Sequence, residues 1–255
     1  MRRNYKKSWL VASRLSFVAI IMKKIKVIAL DVDGTITFKD KTLDIQGYKA
    51  ILKAAKKGLI VILTSGIPVQ GLRPLASLMG ASPYLIGENG GVIFNGEELE
   101  VLSNPENAKK CFEELQQKIR GIEIYSKADT RLSEVCLKLG PNVNEIEKIA
   151  SKYGLRVVPT GFAIHLVQPN INKGSALKKL SSELGYTMEE CAAVGDSRND
   201  IEMVRDSGLG IGVQNARPEV KAVAKHITKK AHGAGVMEAV DYILKHNRQL
   251  DHKQK

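Results

Sequence analysis

The sequence predicts an α/β protein, a doubly wound and mostly parallel core interrupted by an inserted α+β unit. Three observations predict it. Continuous apolar runs, which read as buried strands, alternate with amphipathic helical stretches from residue 26 onward. Near Ser103 this alternation gives way to helices grouped with short alternating strands, the pattern of an α+β unit. At Lys173 the strand-helix alternation resumes. With 255 residues, 44% of them apolar, the chain has room for one or two domains and a substantial core.

In chain order, Lys26 to Leu30 is the first strand, and Asp33-Gly34 marks a turn directly after it. Asp44 to Lys57 is a helix with Ile45, Tyr48, Ile51, Leu52 and Ala55 on one face, stopped by Gly58. Leu59 to Leu63 is a strand, Thr64-Ser65-Gly66 a turn and Val69 to Met79 a helix. Tyr84 to Ile86 is a strand that opens onto Gly87-Glu88-Asn89-Gly90-Gly91. Val92 to Phe94 and Glu98 to Leu102 form a hairpin around Asn95-Gly96. In the insertion, Pro105 to Ile119 is helix, Ile122 to Tyr125 and Leu132 to Leu139 are strands, and Val143 to Lys152 is helix. Arg156 to Val158 and Ala163 to Val167 pair as a hairpin around Thr160-Gly161. Then come a helix (Ser175 to Leu184), a strand (Cys191 to Val194), a helix (Ile201 to Arg205) and a strand (Leu209 to Val213). Pro218 opens a helix to Ala224, His226-Ile227 is a last strand, and Val236 to Lys245 is a final helix. The expected division is therefore an extension (1–22), a discontinuous core (23–102 and 168–247), an inserted unit (103–167) and a basic tail (248–255).

Cys111, Cys136 and Cys191 show neither close pairing nor metal-ligand spacing, so they suit a reducing, cytoplasmic setting. Of the net charge of +12, residues 1–22 carry +5 and residues 245–255 carry +3, leaving +4 on the body. Such a body attracts phosphorylated anions. A nucleic-acid surface is not expected, because no aromatic interleaves with a Lys/Arg run. Residues 1–22 resemble a signal peptide, but Arg14 interrupts their apolar run and no small-residue cleavage site follows. The run is too short to span a bilayer, so Met22 reads as the functional start and stable membrane association is not expected.

Four stretches carry chemistry. Asp31 and Asp33 emerge at the carboxyl end of the first strand, where open α/β sheets bind ligands. Two carboxylates crowded there repel, and a hard divalent cation such as Mg²⁺ relieves the cost. Ser65-Gly66 opens a helix and offers a hydroxyl and backbone N–H groups to a phosphate, although an N-cap would look the same. Lys173 sits at a helix N-terminus, where a cation is unfavourable unless an anion, or Asp31, faces it. Asp196 and Asp200, four apart at a helix start, can face one site, and Asp196 could also simply cap that helix.

In this order, the four stretches resemble the haloacid dehalogenase-like phosphohydrolases over residues 25 to 245. Within that superfamily the phrases Gly87-Glu-Asn-Gly-Gly91 and Gly161-Phe-Ala-Ile-His165, followed by Ile171-Asn-Lys-Gly174, look most like archaeal phosphoglycolate phosphatases. The resemblance implies a Rossmann-like core with the insertion as a cap. It implies Asp31 as nucleophile and Asp33 as acid/base. It implies Mg²⁺ held by Asp31, the Asp33 carbonyl and Asp196, with Asp200 beside them. Ser65, Gly66 and Lys173 would hold the phosphoryl group, with Asn199 and Asn215 as polar lining. For a substrate carboxylate, Arg131 and His165 are the cap candidates. The second motif is Ser65-Gly66-Ile67 and lacks the arginine of many sugar-phosphatase relatives, which counts against that branch. The expected partner is a small phosphorylated metabolite. Other phosphatases (a sugar phosphate, mannosyl-phosphoglycerate), a phosphomutase and a non-catalytic nucleic-acid binder are the competing readings, and a homodimer stays open.

Overall fold

The computed structural model describes residues 23–126, 130–140, 142–160 and 163–253. The extension 1–22 and Gly161 of the expected hairpin turn lie outside them.

The chain runs β1 (Val27–Asp31), α1 (Ile45–Lys56), β2 (Ile60–Thr64), α2 (Val69–Met79), β3 (Leu85–Gly87), β4 (Val92–Phe94) and β5 (Leu99–Val101). It continues with α3 (Glu106–Lys118), β6 (Val135–Lys138), α4 (Val143–Lys152), β7 (Arg156–Pro159) and β8 (Ala163–Val167). It closes with α5 (Lys173–Glu183), β9 (Cys191–Gly195), α6 (Ile201–Asp206), β10 (Leu209–Gly212), α7 (Pro218–Val223), β11 (His226–Ile227) and α8 (His232–Lys253). Eight strands form one sheet in the order β11-β10-β9-β1-β2-β3-β4-β5. It is parallel from β11 to β3 and antiparallel through β4 and β5. The expected α/β class is therefore the observed one.

β1 is the central strand, and all five of its residues are buried. Leu30 pairs with Leu63 of β2 on one side and Val194 of β9 on the other. The chain winds away from β1 in both directions, so the order reverses between β1 and β9. That switch point is where an open α/β sheet leaves a crevice at its carboxyl edge, and Asp31 ends β1 there. The second sheet is antiparallel, in the order β6-β8-β7. Its inner residues Leu137, Ile164 and Leu166 pack against Cys111 and Leu115 of α3 and Ile146 and Ile149 of α4. This is a separate hydrophobic core, formed wholly by residues 108–166.

Several expectations need correction. The segment 122–125 is not a strand; it touches β6 through one bridge, Ile124 to Leu137. The strand expected over 132–139 shrinks to β6, because Leu132 and Ser133 bind a core carboxylate instead of a neighbouring strand. Ile45 is exposed. Helix α1 buries the expected Ile51 together with Gly47, Ala50 and Ala54, small residues that let α8 approach closely. Residues 248–253 are not a detached tail, since α8 runs through Lys253. No Gly or Pro interrupts the chain after Gly235, and Asn247 anchors the helix. The Asn247 amide accepts from Ile25 N and donates to Ile25 O, both at 2.8 Å. No helix among the described residues is long and apolar enough to cross a membrane.

The loop joining β3 to β4 holds Glu88, Asn89 and Gly90 in succession at φ of 51°, 55° and 100°. A Cβ on Gly90 would lie 2.2 Å from the Asn172 carbonyl oxygen. Gly90→Ala is expected to destabilise the protein by on the order of 3 kcal/mol, measured by urea unfolding.

Candidate active site

The site begins where β1 stops. After Asp31 the chain makes one tight turn over Val32–Ile36, and Gly34 takes φ 84°. Glycine is required there twice over: the left-handed backbone favours it, and a Cβ would sit 2.7 Å from Asp196 Oδ2. The Gly34 carbonyl accepts from the Asn215 amide at 2.9 Å and lies 2.8 Å from His232 Nδ1. Its N–H donates to Thr37 Oγ1 at 3.0 Å. So fixed, the turn sets Asp33 beside Asp31, and both line one cleft of about 440 Å³.

Behind that cleft lies a buried ion group. Lys173, the first residue of α5, has no solvent exposure. Its Nζ donates to Asp31 Oδ1 at 2.5 Å and to Asp200 Oδ1 at 2.7 Å. The helix opens there because the Asn172 side chain accepts from Ser175 N at 2.8 Å while Ser175 Oγ accepts from Asn172 N at 3.1 Å. Asp200 Oδ2 accepts from the backbone of Asp196 at 3.0 Å and of Ser197 at 2.9 Å. Both Asp200 oxygens are thus engaged, and they shape the loop that presents Asp196.

Oxygens of Asp31, Asp196 and Asp200 lie within 4.8 Å of one another. One lysine cannot neutralise three carboxylates. Burial, then the charge of Asp200, raises the Asp31 pKa well above the usual carboxylate value, although Lys173 opposes this. Burial and Asp200 likewise push Asp196 up to about 7. Asp31 Oδ2 is buried and has no hydrogen-bond partner. An unpartnered buried oxygen within an excess of negative charge fits a hard divalent cation, so the residues present suit one.

Not every expected residue reaches the cleft. Asp31, Asp33, Gly66, Asp196, Asn199 and Asn215 line it. Ser65 lies just beneath, its Oγ accepting from Ile67 N at 3.1 Å and donating to Asp33 Oδ2 at 3.4 Å. Helix α2 starts only at Val69, so Ser65 shapes the turn and does not cap the helix. Lys173 and Asp200 form the floor described above. Arg131 and His165 are in neither place. Arg131 Nη1 donates to the Gly66 carbonyl at 2.8 Å, and its side chain is 7% exposed. His165 is fully buried, with Nδ1 2.7 Å from Glu134 Oε1. The cations that do line the cleft are Lys39, Lys41 and Arg217. All three come from the core: the lysines from a small loop closed by Phe38 N to Thr42 O at 2.9 Å, and Arg217 from the start of α7. They escaped the sequence reading because nothing in a lysine-rich chain marks these among the 39 Lys and Arg. Glu88, Asn89 and Glu134 were also missed. For Glu88 and Asn89 the one signal was the Gly87–Gly91 phrase, which announces an unusual turn but not its contacts; Glu134 had none.

This geometry defines a class before any particular relative. The family model described as haloacid dehalogenase-like hydrolase matches residues 28–152 and 143–240, and the chain belongs to that family. Among curated relatives, the phosphoglycolate phosphatase of Methanothermobacter thermautotrophicus is 36% identical over 215 residues, 84% of this chain and 97% of its own. That of Archaeoglobus fulgidus is 37% identical, over 87% and 98% of the two chains. The crystal structure of Thermoplasma acidophilum 0175 superimposes with a TM-score of 0.81 at 25% identity, over 87% and 99% of the two chains.

Burial disfavours charge on His165, but the adjacent Glu134 carboxylate prevails and raises its pKa from 6.5 to about 9. The folded state therefore holds this proton where the unfolded chain releases it. The resulting stability is complete below pH 6.5 and is lost as pH rises through about 9. Urea unfolding across that window is expected to show declining stability, with a flatter decline in Glu134→Gln.

Proposed function

We propose that the chain is a Mg²⁺-dependent phosphomonoester hydrolase that works through an aspartyl-phosphate on Asp31, with 2-phosphoglycolate as substrate. The observation that carries the reading is the state of the Asp31 carboxylate. Lys173 holds one oxygen, while the other is buried, unpartnered and part of a residue that lines the cleft.

The Asp31 carboxylate attacks phosphorus and the ester oxygen leaves with the proton of Asp33. Asp33 then takes a proton from the water that cleaves the acyl phosphate, releasing inorganic phosphate and restoring Asp31. Ser65 lies against Asp33 and orients it. The Gly66 backbone and the Asn199 side chain offer donors to phosphoryl oxygens. Lys173 favours the ionised form of Asp31 and offsets the repulsion between it and a substrate dianion. Asp31, Asp196 and the Asp33 carbonyl would hold Mg²⁺, with Asp200 supporting them. When bound, the ion supplies neutralisation of the charge on the transferring phosphoryl group.

Two things support phosphoglycolate. The relatives above bear that name. The cleft is also small and carries Lys39, Lys41 and Arg217, enough positive charge for a second anionic group beside the phosphate. We place the substrate carboxylate against these three cations. Arg131 and His165, the cap candidates, are held in buried contacts instead.

Asp31→Asn is expected to abolish turnover, because the amide cannot form the acyl phosphate. A panel of phosphorylated acids and sugars, ranked by kcat/KM with Mg²⁺ or EDTA, should place 2-phosphoglycolate first; a sugar phosphate in first place would refute the substrate. The paired change Lys39→Ala with Arg217→Ala should raise KM for phosphoglycolate about tenfold or more and leave para-nitrophenyl phosphate nearly unchanged. Because Asp196 must lose a proton to bind a cation, Mg²⁺ should raise the melting temperature more above pH 7 than below it.

A further inference from the structure

Two buried glutamates face opposite ways across the joint between the sheets. Glu88, on the core loop after β3, reaches out to the inserted unit. Its carboxylate accepts from Leu132 N at 3.0 Å, Ser133 N at 2.8 Å and Ser133 Oγ at 2.6 Å. Glu134, one residue before β6, reaches back. Its Oε2 accepts from the Asn89 amide at 3.1 Å. Its Oε1 meets His165 Nδ1 at 2.7 Å and Arg131 Nη1 at 3.4 Å. Glu88, Asn89, Ser133, Glu134 and His165 are all less than 5% exposed.

Burying this many charges is expensive, and an apolar joint of the same volume would be as stable or more so. Holding the two units together does not require it. What the network does is end on the cleft, twice. Asn89 Oδ1 accepts from the Asn199 amide at 2.9 Å. Arg131 donates to the Gly66 carbonyl at 2.8 Å. Asn89 also donates from its backbone to the Ser65 carbonyl at 3.1 Å, and its Oδ1 would lie 3.1 Å from a Cβ on Gly66. Gly66 and Asn199 both line the cleft, on different loops that have no sequence connection. Asn89 bridges them while held at φ 55°, a conformation that its own contacts must sustain.

We propose that Glu134 and Asn89 are positioning residues: the buried chain His165–Glu134–Asn89–Asn199, with its branch through Arg131 to Gly66, makes correct seating of the cap the condition for aligning the phosphate-binding loops. The proposal rests on the phosphatase reading for what is aligned, not for the chain of contacts. Seating does not read the leaving group, because of the six residues named only Gly66 and Asn199 touch the cleft. Its loss should therefore appear in kcat for every phosphate ester, whatever the leaving group.

The test uses Glu134→Gln, which keeps the shape and removes the charge, and Asn89→Gly, which keeps the left-handed backbone and removes the amide. Each is assayed well below its melting temperature on 2-phosphoglycolate and on para-nitrophenyl phosphate. Expected is a fall in kcat of about 10- to 100-fold on both esters, with KM within about threefold. The double variant should be little worse than the poorer single one, because both break the same chain. A loss confined to phosphoglycolate and expressed in KM would overturn the proposal and show that the network reads the substrate's distal group. Lower melting temperatures with kcat unchanged would also overturn it, leaving a structural joint. Hydrogen exchange gives a readout independent of activity. Amides of 65–67 and 197–199 should exchange faster in both variants while β1 and β9 stay protected, and unchanged exchange there refutes the alignment. If the wild type hydrolyses neither ester, the phosphatase reading fails and the exchange result still decides the positioning claim.

Discussion

Lys173 is buried with its ammonium between Asp31 and Asp200, and the remaining parts of the site depend on that contact. A lone lysine in this position would be untenable, as would two carboxylates without it. Together they lock the end of β1 to the start of α5 and to the loop after β9. Those elements lie far apart in the chain, so the ion group is also the point at which the discontinuous core closes around its insertion. It fixes which oxygen of Asp31 is occupied and which remains. It also leaves one lysine against three carboxylates, and the raised pKa values of Asp31 and Asp196 express that shortage of positive charge.

The core was legible because its signals are local. A continuous apolar run ending in Asp31-Val32-Asp33-Gly34 has few other ways to fold, and Ser65, Lys173 and Asp196 each follow a strand or open a helix in a recognisable way. The floor of the cleft was therefore visible from the order of these stretches, and the family resemblance supplied the roles expected of them. What stayed hidden was whatever depends on two segments meeting. Ile45 has the right period for the buried face of α1, but α8 packs on Gly47 and Asp44 beside it, with Ala234 N donating to Asp44 Oδ2, and Ile45 is left outside that contact. Residues 122–125 have strand composition, but their pairing with β6 stops at a single bridge, Ile124 to Leu137. Helix α8 outran its expected end because Asn247 finds Ile25, a contact that no pattern within the helix announces.

The same division runs through the site. Arg131 and His165 were expected to meet a substrate carboxylate, yet their partners Glu134 and Gly66 could not be known from spacing, and those partners hold both away from the cleft lining. Conversely, Lys39, Lys41 and Arg217 look like ordinary surface charges until the sheet places the loops that bear them around one opening. Burial turned the first pair into internal structure and convergence turned the second group into lining.

The pairing of Asn247 with Ile25 spans 222 residues of sequence. The strand that bears Asp31 is among the first elements made, and the side chain that pins its leading end is among the last. Its neighbour β9 is also made late, after the whole insertion. During synthesis the inserted unit, with a core of its own, can assemble while the two halves of the larger sheet still wait for each other. The ion group at Asp31 thus closes only late in synthesis, and a product truncated within α8 keeps every residue of the cleft while losing the fastening at the root of its central strand.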